Sequence, residues 1–176
     1  MQQPNSKESK TQVSIGLINP KSPTNVGAVL RAAGCFAAGS IFYTGNRYDK
    51  AASFHTDTKN RSESIPLKGV ECLIESKPAN AKVVCVELVE DAVPLHQFEH
   101  PDNAYYVFGP EDGTINQAVI DAADAVVYIP TIGCLNLAAT VNVVLYDRLA
   151  KNKNVDTSNE LITQSKDMNN RIKIKG

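Results

Sequence analysis

The sequence lacks a strong excess of either charge. Its 176 residues carry 18 Lys and Arg against 19 Asp and Glu, which gives a formal net charge of -1 at pH 7. A chain of this balance has no general basic surface, so binding to nucleic acid would require a local basic patch or one assembled from two subunits. The length favours one domain with a hydrophobic core of its own.

The sequence also lacks a segment typical of membrane insertion. Its longest apolar stretch, residues 122–146, is interrupted by Asp124, Pro130 and Asn136, and it is interpreted as strand, loop and helix. The N-terminal residues 1–12 are polar and mixed in charge, without the apolar segment of a signal peptide. We therefore predict a disordered leader over residues 1–12 and no membrane partner.

Cysteine is scarce and forms no metal-binding pattern. The four cysteines are widely spaced: Cys35, Cys72, Cys85 and Cys134. There is no C-x-x-C pair and no histidine at metal-ligand spacing, so no metal site is expected. Three of the four lie in apolar runs, which predicts buried reduced thiols and a reducing compartment, the cytoplasm.

Several common catalytic patterns are missing as well. The sequence has no Walker lysine, no Ser/His/Asp arrangement and no G-x-G-x-x-G loop, so it does not favour a dinucleotide-binding site. The histidines His55, His96 and His100 are isolated, and we predict that they lie on the surface. The alternative for His55, which lies in a polar Phe-His-Thr-Asp-Thr-Lys segment, is contact with a polar substrate.

Short apolar segments alternate with helical segments through most of the chain. The strand-like segments are residues 13–18, 41–44, 82–88, 104–108 and 125–129. This alternation predicts an α/β fold with a mainly parallel sheet flanked by helices. We interpret residues 13–152 as the folded domain and residues 153–176 as a polar and basic C-terminal tail.

The first predicted helix follows a loop that contains Pro20 and Pro23. Thr24 or Asn25 is predicted to cap its N-terminus. Apolar residues at helical spacing predict one buried face: Val26, Val29, Leu30, Ala33 and Ala37. Gly39 is predicted to end the helix.

Three further helices are predicted. Residues 70–75 are expected to form a short helix, and Thr114 with Gln117 matches a capping box ahead of another. Asn136 is predicted to cap a long last helix. Asn142 lies on an otherwise apolar face of that helix, which predicts a buried amide with a hydrogen-bonding or subunit-contact role.

Glycine, asparagine and one charged residue recur where a strand ends and a helix begins. The first such segment contains Asn25, Gly27 and Arg31, and Arg31 is either a solvated side chain on an amphipathic helix or a functional group. In the second segment, residues 109–113 form either a plain tight turn or a cradle of N–H groups for an anion or a polar cofactor.

The second and third segments each add one polar side chain. Glu111 either satisfies backbone donors at the start of a helix or pairs with Arg31. The third segment, residues 129–136, passes through Gly133 and reaches Asn136. Because open α/β sheets bind ligands at the carboxyl ends of their strands, all three segments are candidates for a binding site.

Taken together, the three segments resemble the motifs of the SPOUT superfamily, specifically its SpoU/TrmH-like RNA ribose 2′-O-methyltransferases. The resemblance extends in outline over residues 13–149. The matching residues are Asn25, Gly27, Ala28 and Arg31 in the first motif, Phe108, Gly109 and Glu111 in the second, and Ile129, Pro130, Leu135, Asn136, Tyr146 and Asp147 in the third.

The resemblance implies a fold, a cofactor and a reaction. It implies a C-terminal deep trefoil knot whose loops hold S-adenosylmethionine, transfer of a methyl group to a ribose of tRNA or rRNA, and a homodimer with active sites near the subunit interface. The implied catalytic residues are Arg31, Asn136, Asn25 and Glu111. The implied cofactor contacts are Val86, Glu87, Leu88, Gly109, Ile129, Thr131, Cys134 and Leu135.

The chain departs from the family pattern in two places. The second motif is one residue shorter between Glu111 and Gly113, and the third-motif loop is shorter and lacks the Ser that commonly precedes Leu135 and Asn136. Ala138 also replaces a common later Ser. These departures leave one alternative open, a catalytically impaired module that binds the cofactor and RNA. A separate alternative is an α/β enzyme outside the SPOUT superfamily that uses the glycine turn for a nucleotide, and an unknotted fold would favour it.

The end of the C-terminal tail is basic. Residues 166–175 contain four basic residues and one acidic residue. This pattern is typical of a solvated tail, and the alternative is a weak RNA-contacting arm.

Overall fold

A computed structural model describes residues 12–53 and 65–174. The strands of these residues are β1 (Val13–Leu17), β2 (Ser40–Tyr43), β3 (Leu67–Gly69), β4 (Lys82–Val86), β5 (Val93–Pro94), β6 (Ala104–Phe108) and β7 (Ala125–Tyr128). They form a seven-stranded sheet in the order β3-β2-β1-β6-β4-β7-β5, and every neighbouring pair is parallel. The predicted parallel α/β sheet is confirmed. His55 and residues 1–11 of the predicted leader lie outside the described residues.

Helices and loops cover both faces of this sheet. The helices of the described segments are α1 (Pro23–Cys35), α2 (Arg47–Ala52), α3 (Gln117–Asp121), α4 (Leu137–Lys151) and α5 (Asn159–Ser165). On one face α1 packs against α4, and the core there includes Ile15, Val26, Val29, Val141 and Val144. The core on the other face includes Leu73, Cys85, Tyr105, Val107 and Ile115. All five residues of the central strand β6 are buried, as expected for a parallel strand covered on both sides.

Helix α1 begins and ends earlier than predicted. Its N-cap is Ser22, whose Oγ accepts a hydrogen bond from the Asn25 backbone N–H at 3.3 Å. Pro23 is the first residue of the helix, a position where the backbone N–H that proline lacks has no helical partner. Thr24 and Asn25 therefore lie inside the helix, and neither is the cap. The helix ends at Cys35 because Ala37 adopts a positive φ of 55° and reverses the chain ahead of Gly39. Ala37 is consequently exposed and not part of the buried face.

Two other helix predictions were wrong, and a third was wrong about burial alone. Residues 70–75 form turns and no helix. Helix α3 is capped by Asn116, whose Oδ1 accepts from the Val119 N–H at 3.0 Å, and not by the predicted Thr114 box. Asn142 is exposed, and its amide donates to the Ala138 carbonyl oxygen one turn earlier at 2.8 Å. Its hydrogen-bonding requirement is therefore met within α4.

The cysteine prediction was right about the free thiols and wrong about their burial. All four cysteines are free, but only Cys85 is buried. Cys35 and Cys134 are exposed, and Cys72 is half-buried. Cys35 is exposed because it is the last residue of α1, and Cys134 because it lies in the loop between β7 and α4.

His100 takes part in a buried network at the C-terminal end of α4, contrary to the surface prediction. Its side chain is only 4% exposed. His100 Nδ1 lies 2.6 Å from the Tyr106 hydroxyl, and Nε2 lies 2.8 Å from Asp147 Oδ2. Lys151 donates to the same Asp147 oxygen at 2.6 Å. An isolated histidine in a polar loop gives no sequence signal of these partners.

This network makes stability sensitive to mild acid. Burial lowers the pKa of His100 below its ordinary 6.5 and outweighs the Asp147 carboxylate, which acts in the opposite direction. The unfolded chain therefore binds this proton more readily, so the free energy of unfolding decreases as the pH falls below about 6.5. We expect His100→Asn to flatten the dependence of denaturant unfolding on pH from 7 to 5 relative to wild type. His96→Asn, which removes an exposed histidine, is the control, and identical pH profiles for wild type and His100→Asn would contradict the assignment.

Two adjacent tyrosines of β6 provide a second stability test. Among the described residues, the Tyr105 hydroxyl is the one buried side-chain polar atom without a hydrogen-bond partner. The Tyr106 hydroxyl, by contrast, contacts His100 and accepts from Arg148. Tyr105→Phe should leave the free energy of unfolding unchanged or raise it by up to about 1 kcal/mol, whereas Tyr106→Phe should lower it by about 1–3 kcal/mol. Denaturant unfolding measures both, and a larger loss for Tyr105→Phe than for Tyr106→Phe would be inconsistent with these contacts.

Candidate functional site

A cleft of about 280 Å³ opens at the carboxyl ends of β4, β6 and β7. Its walls are the loops that leave these three neighbouring strands, together with the N-terminal ends of α1 and α4. Parallel strands direct their following loops to one edge of a sheet, which is where open α/β proteins bind ligands. The second and third sequence segments therefore meet at one site because of the strand order.

Nearly all of the predicted site residues line this cleft. The eight predicted cofactor contacts do so: Val86, Glu87, Leu88, Gly109, Ile129, Thr131, Cys134 and Leu135. Of the four residues predicted for catalysis, Asn25, Glu111 and Asn136 line it and Arg31 does not. Sequence reasoning missed Tyr128 and Thr140, which also face the cleft. Their positions were the signals that could have identified them. Tyr128 is the last residue of β7, and Thr140 lies one helical turn after Asn136.

Glu111 holds the start of α1 in place. Its carboxylate accepts hydrogen bonds from the backbone N–H groups of Lys21 (2.9 Å) and Ser22 (3.1 Å) and from Asn25 Nδ2 (3.1 Å). Partial burial favours the neutral acid, but these donors outweigh it and the pKa of Glu111 lies below its ordinary value. The structure agrees with the first interpretation of Glu111: its carboxylate satisfies backbone donors at the start of a helix.

Asp112 joins the same turn to α2. Arg47 makes a bidentate contact with it, at 2.9 Å to each carboxylate oxygen, and Lys21 Nζ lies 3.6 Å away. The hydrogen bond from Arg47 is the main reason that the pKa of Asp112 is below its ordinary value. Glu111 and Asp112 together connect the turn after β6 to two helices and so fix one wall of the cleft.

Gly109 and Glu87 form the floor on the β4 and β6 side. Glu87 Oε2 accepts from the Ile115 N–H and Oε1 from the Leu88 N–H, both at 2.9 Å. A Cβ at Gly109 would lie 3.2 Å from Glu87 Oε2 and 3.3 Å from Ile115 Cγ1. The absence of a side chain at Gly109 therefore leaves room for the hydrogen bond between Ile115 and Glu87.

The loop after β7 forms the opposite wall. Gly133 has a φ of 88°, a conformation that other residues rarely adopt, and Thr131 Oγ1 donates to the Gly133 carbonyl oxygen at 2.9 Å. Asn136 caps α4 as predicted, since its Oδ1 accepts from the Ala139 N–H at 2.7 Å. The cap uses Oδ1, so Nδ2 is the group that Asn136 can offer to a ligand.

Arg31 lies on a different surface of α1. It is exposed and follows Asn25 by six residues, a rise of about 9 Å along the helix away from the cleft. Gly27, Ala28 and Cys35 are exposed on the same helix. On the neighbouring helix α4, Val143, Tyr146 and Leu149 are exposed apolar side chains. Arg31 thus lies among small residues on the exposed side of α1, and α1 packs against α4.

Two further observations concern only the described residues. Within residues 12–53 and 65–174, no three His, Cys, Asp or Glu side chains are grouped closely enough to hold a metal ion. In the same part of the chain, no helix has both the length and the apolar character needed to cross a membrane.

Comparison with known proteins identifies the class to which this fold and cleft belong. Residues 12–146 match the model of the SpoU rRNA methylase family. This match spans most of the chain, so the protein belongs to the SpoU rRNA methylase family. No curated protein sequence matches the chain.

Solved structures of the same fold have low sequence identity to the chain. The A. aeolicus TrmH/SpoU tRNA modifying enzyme is 19% identical with a TM-score of 0.67, over 78% of this chain and 74% of the other. The AdoMet-bound rRNA methyltransferase of Sinorhizobium meliloti is 19% identical with a TM-score of 0.63, over 81% and 57%. A protein solved in a study of 2-OH methylation of C/U34 on tRNA is 22% identical with a TM-score of 0.64, over 81% and 91%. The chain spans only about half the length of some of these relatives, 56% in another S. meliloti structure.

Proposed function

We propose that the protein is an S-adenosylmethionine-dependent RNA ribose 2′-O-methyltransferase that acts on tRNA or rRNA. The observation that carries this proposal is the cleft at the carboxyl ends of β4, β6 and β7, which gathers the expected cofactor contacts. Membership of the SpoU family supports the reaction, and the AdoMet-bound relative supports the cofactor.

The residues of the cleft fit this cofactor. Gly109 lines the cleft without a side chain, and the loops at 86–88 and 129–135 offer backbone N–H and carbonyl groups beside the apolar Ile129 and Leu135. When bound, S-adenosylmethionine supplies an electrophilic methyl group on a sulfonium. The side chains around it would exclude water and fix its orientation relative to the ribose.

Arg31 is proposed to bind the RNA phosphate beside the reacting ribose. A guanidinium stays protonated in proteins, so it is a poor base but a strong bidentate partner for phosphate. Arg31 would orient the 2′-hydroxyl, and phosphate or water would accept the proton. Asn136 Nδ2 would contact the ribose from the other side of the cleft.

Because Arg31 does not line the cleft of its own chain, we propose that it reaches the cleft of a second subunit. The exposed small residues of α1 and the apolar side chains Val143, Tyr146 and Leu149 of α4 form a surface that a second copy would cover. A two-fold interface at α1 and α4 would create two equivalent sites. We therefore propose a homodimer with sites at the subunit interface.

Asn25 and Glu111 are proposed as positioning residues. The Glu111 carboxylate already accepts three hydrogen bonds from the start of α1, including one from the Asn25 amide. It therefore acts on the reaction by fixing α1 on its own subunit, and α1 in turn presents Arg31 to the cleft of the second subunit.

The fold proposal includes the trefoil knot. Residues 87–103 connect β4 to β6, and α4 is bound to this connection: Arg148 donates to the carbonyl oxygens of Pro101 and Asp102, and Lys151 to that of Leu95. These contacts place the C-terminal end of α4 against the connection, a position that threading through it requires. We further propose that residues 13–152 are the methyltransferase domain, that residues 153–176 are its tail, and that the protein acts in the cytoplasm.

Transfer of a labelled methyl group tests the reaction. Protein, labelled S-adenosylmethionine and total RNA from cells that lack the gene are expected to give labelled RNA, whereas RNA from wild-type cells should accept less because its sites are already methylated. Cofactor binding without transfer to either RNA would indicate the catalytically impaired module instead.

Cys134 provides an internal reporter of cofactor binding. This exposed thiol lines the cleft, whereas the exposed Cys35 does not. S-adenosylmethionine at ten times its Kd should slow alkylation of Cys134 by iodoacetamide about 10-fold and leave Cys35 unchanged. Peptide mass spectrometry measures both rates in one sample, and equal alkylation of Cys134 with and without saturating cofactor would place the cofactor elsewhere.

A further inference from the structure

The last residues of the chain carry a local net positive charge. Residues 166–176 contain Lys166, Arg171, Lys173 and Lys175 against Asp167, a net charge of +3. Since the whole chain has a net charge of -1, residues 1–165 carry -1 - 3 = -4. An enzyme that binds RNA with an acidic body must neutralise phosphates with local groups of basic side chains.

Several basic side chains of the body are already engaged. Lys21 and Arg47, next to the cleft, both contact Asp112. Lys82 is paired with Asp124. Lys151 is paired with Asp147. A cation held in an ion pair releases fewer counterions from RNA than an unpaired one, so these side chains are poor candidates for the main electrostatic contact.

The described part of the tail is fully exposed. Every residue from 166 to 174 is exposed, and none of the ion pairs formed among the described residues involves this segment. Its apolar side chains are also in solvent, with Ile172 at 90% and Ile174 at 99% exposure. The basic side chains are therefore accessible to a polyanion.

The tail leaves the domain far from the reacting centre. Helix α4 has its N-cap, Asn136, in the cleft, and its 15 residues span about 22 Å before the chain enters the tail. None of residues 166–174 lines the cleft, so contacts of the tail with RNA would not involve the groups at the reacting centre. Such contacts are equally strong in ground state and transition state, so they affect KM and leave kcat unchanged.

We propose that residues 166–175 form a basic arm that binds the phosphate backbone of the substrate RNA away from the methylated nucleotide. This inference rests on the proposed RNA methyltransferase function and assigns to the tail part of the affinity for RNA. Its exposed apolar side chains give a second, protein-binding interpretation, which the test separates.

The test compares two full-length variants with the wild type. In the charge variant, Lys166, Arg171, Lys173 and Lys175 are replaced by Gln; in the matched apolar variant, Met168, Ile172 and Ile174 are replaced by Ser. The charge variant should raise KM for RNA about 10-fold at low salt and lower the slope of log KM against log salt by about 3, with kcat and the Kd of S-adenosylmethionine within about 2-fold of wild type. The apolar variant should retain the wild-type KM.

Two other outcomes would contradict the proposal that the arm binds RNA. An unchanged KM and salt slope in the charge variant would show that the tail does not bind RNA, and an effect confined to the apolar variant would indicate a protein surface as the partner. Gel-shift assays measure the binding of RNA to the same proteins and do not depend on whether methyl transfer occurs. If the wild type transfers no methyl group, weaker RNA binding by the charge variant still supports the arm, and equal binding contradicts it.

Discussion

Replacing Arg31 with Ala is expected to reduce methyl transfer by at least about 10³-fold and to leave the Kd of S-adenosylmethionine within about 2-fold of wild type. The reason is the separation of the two functions in the structure: Arg31 does not line the cleft that gathers the expected cofactor contacts. Arg31→Lys should be nearly as inactive, because an ammonium cannot make the bidentate contact with phosphate. Single-turnover methyl transfer and calorimetry measure the two effects, and near-normal turnover of Arg31→Ala would refute the role.

Mixed dimers test whether Arg31 acts in its own subunit or in the other. Arg31→Ala and Asn136→Ala are both expected to be inactive as homodimers. If Arg31 acts across the interface, co-expression gives heterodimers with one functional site, in which an intact cleft meets an intact arginine. If both residues act within one chain, the heterodimers stay inactive.

Tyr146→Glu, which places a charge on the apolar surface of α4, should convert the protein to monomers and remove activity.

Gly109→Val is expected to have the largest effect on the cofactor. A Cβ at this position already lies 3.2–3.4 Å from Glu87 Oε2 and two Ile115 atoms, so the larger Val side chain would displace Glu87, which lines the cleft. We expect the Kd of S-adenosylmethionine to rise about 100-fold or more, measured by calorimetry, with an unchanged circular dichroism spectrum. Gly39→Val is the matched control, because the atoms nearest to its Cβ are 3.8 Å away and lie outside the cleft. A folded Gly109→Val protein with wild-type affinity would exclude this cleft as the cofactor site.

Sequence patterns predicted the sheet better than the helix ends. The apolar residues of β6, and those of β4 after its exposed Lys82, are unambiguous, because strand residues buried on both faces of a sheet must be apolar. The start of α1 was misjudged because Ser22, Thr24 and Asn25 are all good caps, and only the backbone conformation around Pro23 selects Ser22. The end of α1 depends on a positive φ at Ala37, and alanine gives no indication of this conformation in the sequence.

The site shows the same division between local and long-range information. Glycine and asparagine at strand ends pointed to loops that the strand order then brings into one cleft. The contacts of Glu111 with the start of α1 and of Asp112 with Arg47 join segments that are 65–90 residues apart, so spacing alone could not predict them. The exposure of Arg31 on another surface follows from the helical phase of α1 relative to the sheet, which the sequence pattern left open.

The most direct test of the central proposal is the identity of the methylated product. RNA from cells that lack the gene would be incubated with the protein and labelled S-adenosylmethionine, digested to nucleosides and separated by liquid chromatography with mass spectrometry. We expect the label in a 2′-O-methylnucleoside, and we expect it to be absent with Arg31→Ala. Label in the base of a nucleoside, or none in any RNA although the cofactor is bound in the cleft, would contradict the assignment of this protein as a ribose methyltransferase.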